Sequence, residues 1–112
     1  MKRFALLAFL SFSLAVTACA GEGYTPSAEA KALVKAGAVL VDVRTPEEFA
    51  AKHLDGAVNI PIDDLEARKA ELPKDKDIVL YCRSGARSAR GKSLLTGAGY
   101  TKVHNLGPMS NW

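Results

Sequence analysis

Only two of the 112 residues are cysteine, two are histidine and one is tryptophan, and each shortage removes a class of protein. Cys19 and Cys82 are too few for a disulfide framework, the more so because Cys19 falls in a targeting segment. His53 and His104 stand alone, with no second ligand three or four residues away, so each is expected in a surface or packing role and no metal site is expected. Aromatic residues make up 7% of the chain. Tyr24, Tyr81, Tyr100 and Trp112 read as core or interface residues rather than a stacking platform. Long apolar runs are missing too. The 13 residues Phe4 to Val16, apolar apart from two serines, fall well short of the roughly 20 that cross a bilayer as a helix. There is no internal repeat and no low-complexity stretch, and the length allows one compact domain.

The N-terminus reads as a targeting signal. Met1-Lys2-Arg3 is basic, the apolar run follows, and small residues close it, the order of n-region, h-region and cleavage site. A buried N-terminal helix is the rival reading, but this stretch is apolar nearly all round. Val16-Thr17-Ala18-Cys19 resembles the lipobox of bacterial lipoproteins, with Val16 where leucine is commoner. Residues 1–18 are therefore expected to be a signal peptide and Cys19 a lipidated mature N-terminus. Ala18-Cys19-Ala20 also fits cleavage after Ala20, which removes residues 1–20. Either way the mature protein keeps one free thiol, Cys82. It is expected to be exported to the periplasm, tethered to the membrane through Cys19. Losing Lys2 and Arg3 leaves 13 basic residues against 12 acidic ones, a balance that gives no case for nucleic-acid binding.

Residues 19–26 read as a tether and 27–112 as the domain. Thr25-Pro26 predicts an N-cap and a first helical residue, opening a helix to about Ala36 before Gly37. Val39-Leu40-Val41 suits a strand buried on both faces of a parallel sheet, continued by Asp42-Val43-Arg44. Thr45-Pro46-Glu47-Glu48 is a capping box, opening a short helix that carries Phe49 inward. Ala57 to Ile60 predicts a second strand. Asp63 to Leu72 predicts a helix stopped by Pro73, with Asp63, Asp64 and Glu66 answering its dipole. Ile78 to Tyr81 is a third strand, Ser88 to Ala98 a helix with Leu94 and Leu95 inward, and Val103 to Leu106 a last strand. Strands alternating with helices indicate an α/β sandwich with a mainly parallel central sheet. In such sheets ligands bind beyond the carboxyl ends of the strands, where Cys82 stands.

Around Cys82 the residues are Arg83, Ser84, Gly85, Ala86, Arg87 and Ser88. A thiol at an ordinary pKa of about 8.5 is only about 3% ionised at pH 7. Here converging backbone N–H groups in a Gly-containing loop, the positive end of the next helix, and Arg83 and Arg87 all favour the thiolate. A lowering of about two units is worth roughly 2.7 kcal/mol and makes the thiolate predominant. The plainer reading is a small buried hydrophobe. Two arginines within five residues argue against burial in an apolar site, since each needs a partner.

The chain resembles the rhodanese domains, in particular the single-domain exported thiosulfate sulfurtransferases of bacteria. The resemblance is carried by Leu40-Val41-Asp42-Val43-Arg44 with Pro46 to Phe49, by His53 to Pro61, and by Ile78 to Ser88. Gly99-Tyr100 and Val103 to Gly107 extend it over essentially the whole mature chain. It implies a rhodanese-like three-layer sandwich and a double displacement. Cys82 takes a sulfane sulfur from a small anionic donor such as thiosulfate and passes it to a thiol or other thiophilic acceptor. By position, Cys82 is the nucleophile, Arg83, Ser84, Gly85, Ala86, Arg87 and Ser88 bind the anion, and Asp42 and Arg44 support the site. No metal or organic cofactor is implied.

One stretch departs from the family. It commonly ends in Gly-Gly, three variable residues and tryptophan, whereas here Pro108 follows Gly107 before Trp112. Proline fixes φ and removes an N–H, so the final turn is expected to close differently. With the chain ending at Trp112, the absence of a terminal helix is expected to open one side of the core without touching the catalytic loop. Two rival functions fit a cysteine-centred loop of this kind. Phosphatases and arsenate reductases of related fold place the arginine after five intervening residues, but Cys82 to Arg87 leaves four, a tighter pocket. A non-catalytic rhodanese-like binding module is the other, and Cys82 with both arginines argues against it.

Overall fold

The computed structural model describes residues 23–112. The expected signal peptide, the lipidation site Cys19 and the first half of the tether lie outside the described residues. In chain order the elements are α1 (Ser27–Lys35), β1 (Val39–Asp42), α2 (Pro46–Ala51), β2 (Val58–Asn59), α3 (Ile62–Arg68), β3 (Ile78–Cys82), α4 (Ala86–Gly97) and β4 (Val103–Pro108), with 3-10 turns at Lys69–Glu71 and Met109–Asn111.

The four strands form one sheet in the order β2-β1-β3-β4, every pair parallel. β1 and β3 lie in the middle, as their unbroken apolar runs require, and β3 is buried at every position. Side chains alternate between two apolar layers. Val41, Val43, Ile78, Leu80 and Cys82 pack with Leu65 of α3 and Leu95 of α4. Leu40, Val79, Tyr81 and Leu106 pack with Ala30 and Leu33 of α1. Helices on both faces of a parallel sheet make the three-layer sandwich expected from the sequence.

Several boundaries move, each for a local reason. Pro26, not Thr25, caps α1, because its ψ of 147° keeps it outside the helix while its carbonyl accepts the first helical bond, from Ala30 N–H at 2.9 Å. Thr25 N–H is held by the Asn105 carbonyl of β4 at 2.7 Å. The third helix starts at Ile62 and tightens into the 3-10 turn after Arg68. There the Tyr100 hydroxyl sits 2.6 Å from the Lys69 carbonyl and 2.9 Å from that of Leu72. Phe49 is half-buried rather than inward, its ring stacked on His53 at 3.8 Å. Helix α4 starts two residues before Ser88, so Arg87 and Ser88 lie in its first turn.

β4 is bulged. Its register slips between Leu80 and Tyr81, so that Asn105 faces Leu80 while Gly107 faces Tyr81 and Pro108 faces Cys82. The Asn105 side chain accepts the Gly107 N–H at 2.9 Å, replacing a ladder bond that the bulge removes. The departure at Pro108 therefore lies beside the thiol in the sheet. Met109 and Trp112 pack, half-buried, on the α1 layer.

Candidate functional site

β3 ends at Cys82 and the chain turns at once into α4 through Arg83, Ser84 and Gly85. Gly85 stands at the N-cap position with φ +98°, a left-handed conformation that side-chain-bearing residues rarely adopt. No side chain caps the helix in the usual way; the thiol does so instead. Gly85 N–H donates to Sγ at 2.9 Å and Ser88 N–H at 3.4 Å, and the Ser88 hydroxyl lies 3.3 Å from Sγ and 3.1 Å from the Gly85 carbonyl. Helix-start N–H groups left without intrahelical partners converge on the sulfur.

Cys82 is 0% exposed, which corrects the expectation that neighbouring arginines keep it out of the interior. The arginines stand outside while the sulfur goes in. Burial pushes the thiol's pKa up, but the Ser88 hydroxyl and the N–H groups of Ser88, Gly85 and Ser84 more than offset it, leaving the pKa below its ordinary value. The thiolate is stabilised chiefly by hydrogen bonds and less by the arginines than the sequence reading supposes. Chemistry at a covered sulfur requires a transient shift of its cover.

Arg87 has a partner that spacing does not reveal. Its guanidinium donates to both oxygens of Glu48 on α2, at 2.7 and 3.0 Å, tying the start of α4 to α2. Glu48 also completes the capping box with Thr45. The Arg87 bridge, opposed by partial burial and aided by the Thr45 N–H, lowers the Glu48 pKa to about 2. With the folded value depressed, the bridge contributes fully above the ordinary carboxylate range and is lost as pH falls through about 2. Arg87 is thus not an unpaired anion receptor, although it senses the charge on Cys82. Arg83, Ser84 and Ala86 are exposed.

Asp42 and Arg44 form a buried pair. The carboxylate accepts Arg44 N–H at 2.8 Å, Nε at 3.0 Å and Nη2 at 2.6 Å, and Nη2 also donates to the Lys52 carbonyl just after α2 at 2.6 Å. Asn59 donates to the Asp42 and Arg44 carbonyls, both at 3.0 Å. The pair fixes where α2 sits, and α2 presents Glu48 to Arg87. Tyr81 lies over this pair: Arg44 stands 5.7 Å from its ring centre, and its hydroxyl accepts Leu54 N–H at 3.1 Å. Burial drives the Tyr81 pKa up to about 12, keeping the phenol neutral. Away from the site, His104 pairs with Asp77 at 2.8 Å, and among the described residues no cluster suited to a metal ion occurs.

An α/β sandwich whose helix-start donors converge on one thiol belongs to the class of proteins built around a cysteine-centred anion loop. Within that class the chain belongs to the rhodanese-like domain family, whose model matches residues 26–112. It is 46% identical over 68 residues to a sulfurtransferase of Allochromatium vinosum, covering 61% of this chain and 64% of that protein, so it spans just under two thirds of that relative. It is 37% identical over 73 residues to a thiosulfate sulfurtransferase of Escherichia coli, covering 63% of this chain and 70% of the other. Among solved structures, a human single-domain sulfurtransferase superposes with a TM-score of 0.72 at 29% identity, covering 82% of this chain and 96% of that one.

Proposed function

We propose that the protein is a sulfurtransferase that moves a sulfane sulfur from thiosulfate or a similar anionic donor to a thiophilic acceptor, through a persulfide on Cys82. The observation that carries this reading is the convergence of the Gly85 and Ser88 N–H groups and the Ser88 hydroxyl on one sulfur. The thiolate attacks the outer sulfur of thiosulfate, the donor's S–S bond breaks, and sulfite leaves with the bonding pair. An acceptor thiolate then attacks the outer sulfur of the persulfide and the Cys82 thiolate returns. Each step exchanges one bond to sulfur for another and needs no metal or organic cofactor. Donors that stabilise the thiolate also stabilise the persulfide anion and orient the incoming oxyanion.

Steady-state turnover with thiosulfate, mercaptopyruvate and an aryl phosphate tests the reading. Thiosulfate should be consumed and the phosphate left intact; the reverse would make the protein a phosphatase, and inertness towards all three a binding module. Arg87→Lys keeps the charge but loses the planar fork that grips Glu48, so kcat/KM for thiosulfate should fall about tenfold. Glu48→Gln preserves the capping box, which accepts glutamine, and should give a smaller loss. Unchanged kinetics in both variants would reduce the bridge to a strut between α2 and α4.

We further propose export to the periplasm, with Cys19 lipidated, on the basic, apolar and small-residue order of residues 1–20. Intact-mass analysis of membrane and soluble fractions should find a chain beginning at a lipidated Cys19, or else at Gly21. A cytoplasmic protein retaining Met1 would refute it.

A further inference from the structure

Tyr24 belongs to neither apolar layer and is 40% exposed, yet it meets the backbone of two elements at the site. A Cβ added to Gly107 would stand 2.5 Å from Tyr24 Cδ1 and 2.7 Å from Cε1. One added to Gly85 would stand 2.8 Å from Tyr24 Cζ and closer still to the hydroxyl. The ring therefore occupies the space above both glycines, Gly85 with φ +98° and Gly107 with φ +82°. The next residue is anchored, since Thr25 N–H donates to the Asn105 carbonyl at 2.7 Å, and the Asn105 side chain holds the Gly107 N–H.

Gly85 provides the shortest hydrogen bond to Sγ and is also the freest residue of the loop, having no side chain to restrict its peptide. We propose that Tyr24 is a positioning residue for the Cys82 loop, its ring braced on Gly107 and the Cζ edge of the ring filling the place of the missing Gly85 side chain, so that the Gly85 N–H stays aimed at the sulfur. The proposal deepens the sulfur-transfer reading and rests on it for the use made of the thiolate. The charged groups around the loop are Arg83, Arg87 with Glu48 of α2, and the Asp42–Arg44 pair. A change at Tyr24 alters none of their charges; loss of cover alone would lower the midpoint, because burial raises the thiol's pKa, so a rise reports the weakened hydrogen bond.

The test is the pH dependence of iodoacetamide alkylation of Cys82, mapped by peptide mass in the reduced full-length protein, with persulfide formation from thiosulfate measured alongside. The midpoint of the profile reports thiolate formation and its plateau reports access. Tyr24→Ala should raise the midpoint enough to leave about fivefold less thiolate at pH values below it, the effect of one weakened hydrogen bond. Tyr24→Phe, which keeps the ring, should retain the wild-type midpoint. Since Tyr24 lies outside both core layers, thermal melts should show both variants folded. An unmoved midpoint in folded Tyr24→Ala, or an equal shift in Tyr24→Phe, would overturn the proposal. Midpoints that move as expected in a protein forming no persulfide would support the positioning role and refute the sulfur-transfer reading instead.

Discussion

Thiosulfate supplied without an acceptor should leave the reduced protein heavier by one sulfur atom, the addition mapping to Cys82 and disappearing on exposure to cyanide or excess thiol. The reaction divides into two displacements, and the first has a stable leaving group, so the intermediate should accumulate. The donors that cradle Sγ are backbone N–H groups and the Ser88 hydroxyl, and none is consumed when the thiolate becomes a persulfide. Cys82→Ser should abolish both adduct and turnover. It should nevertheless fold, at a cost of about 1–2 kcal/mol, because the serine hydroxyl accepts the same N–H groups and no polar group is orphaned. A phosphatase should give little adduct, and a binding module should leave thiosulfate unconsumed. No adduct on reduced, folded protein across several sulfane donors would overturn the proposed function.

What is legible in the sequence is local. The apolar runs at Val39 and Ile78 mark the two central strands, and a cysteine directly after the second marks the site, because both depend on neighbours in sequence. The capping box at Thr45 is equally local, and it forms. What escaped depends on partners far along the chain. The start of α4 is hidden because its cap is a cysteine sulfur rather than a hydroxyl or carboxylate, so the composition points to Ser88 and the helix begins at Ala86. Glu48 serves its own helix and also Arg87, 39 residues away; only the need of a partly buried arginine for a partner hinted at it. Thr25-Pro26 looks like a cap and a first helical residue, but Pro26 stays extended and is itself the cap. Tyr24 carries no motif, and the two glycines it covers, Gly85 and Gly107, lie far from it along the chain.

Asp42→Asn should be the most destabilising single change near the site, costing about 3–5 kcal/mol. Asp42 is 0% exposed and Arg44 5%, so removing the carboxylate charge leaves a buried guanidinium with a neutral amide and the Lys52 carbonyl for company. The size and shape of the side chain hardly change, which separates the loss of charge from any cavity. In a domain of this size each kcal/mol shifts Tm by roughly 4–8 °C, so the melting point should fall by roughly 12–40 °C. Replacing both partners, as Asp42→Leu with Arg44→Met, removes the stranded charge and should recover part of the loss. Recovery should be incomplete, because the carboxylate also accepts the Arg44 backbone N–H and Arg44 holds the Lys52 carbonyl. Urea unfolding of Asp42→Leu, of Arg44→Met and of the double gives the coupling directly. A cost below about 1 kcal/mol for Asp42→Asn, within the range of exposed pairs, would mean that the pair is solvated and that the hold on α2 comes from elsewhere.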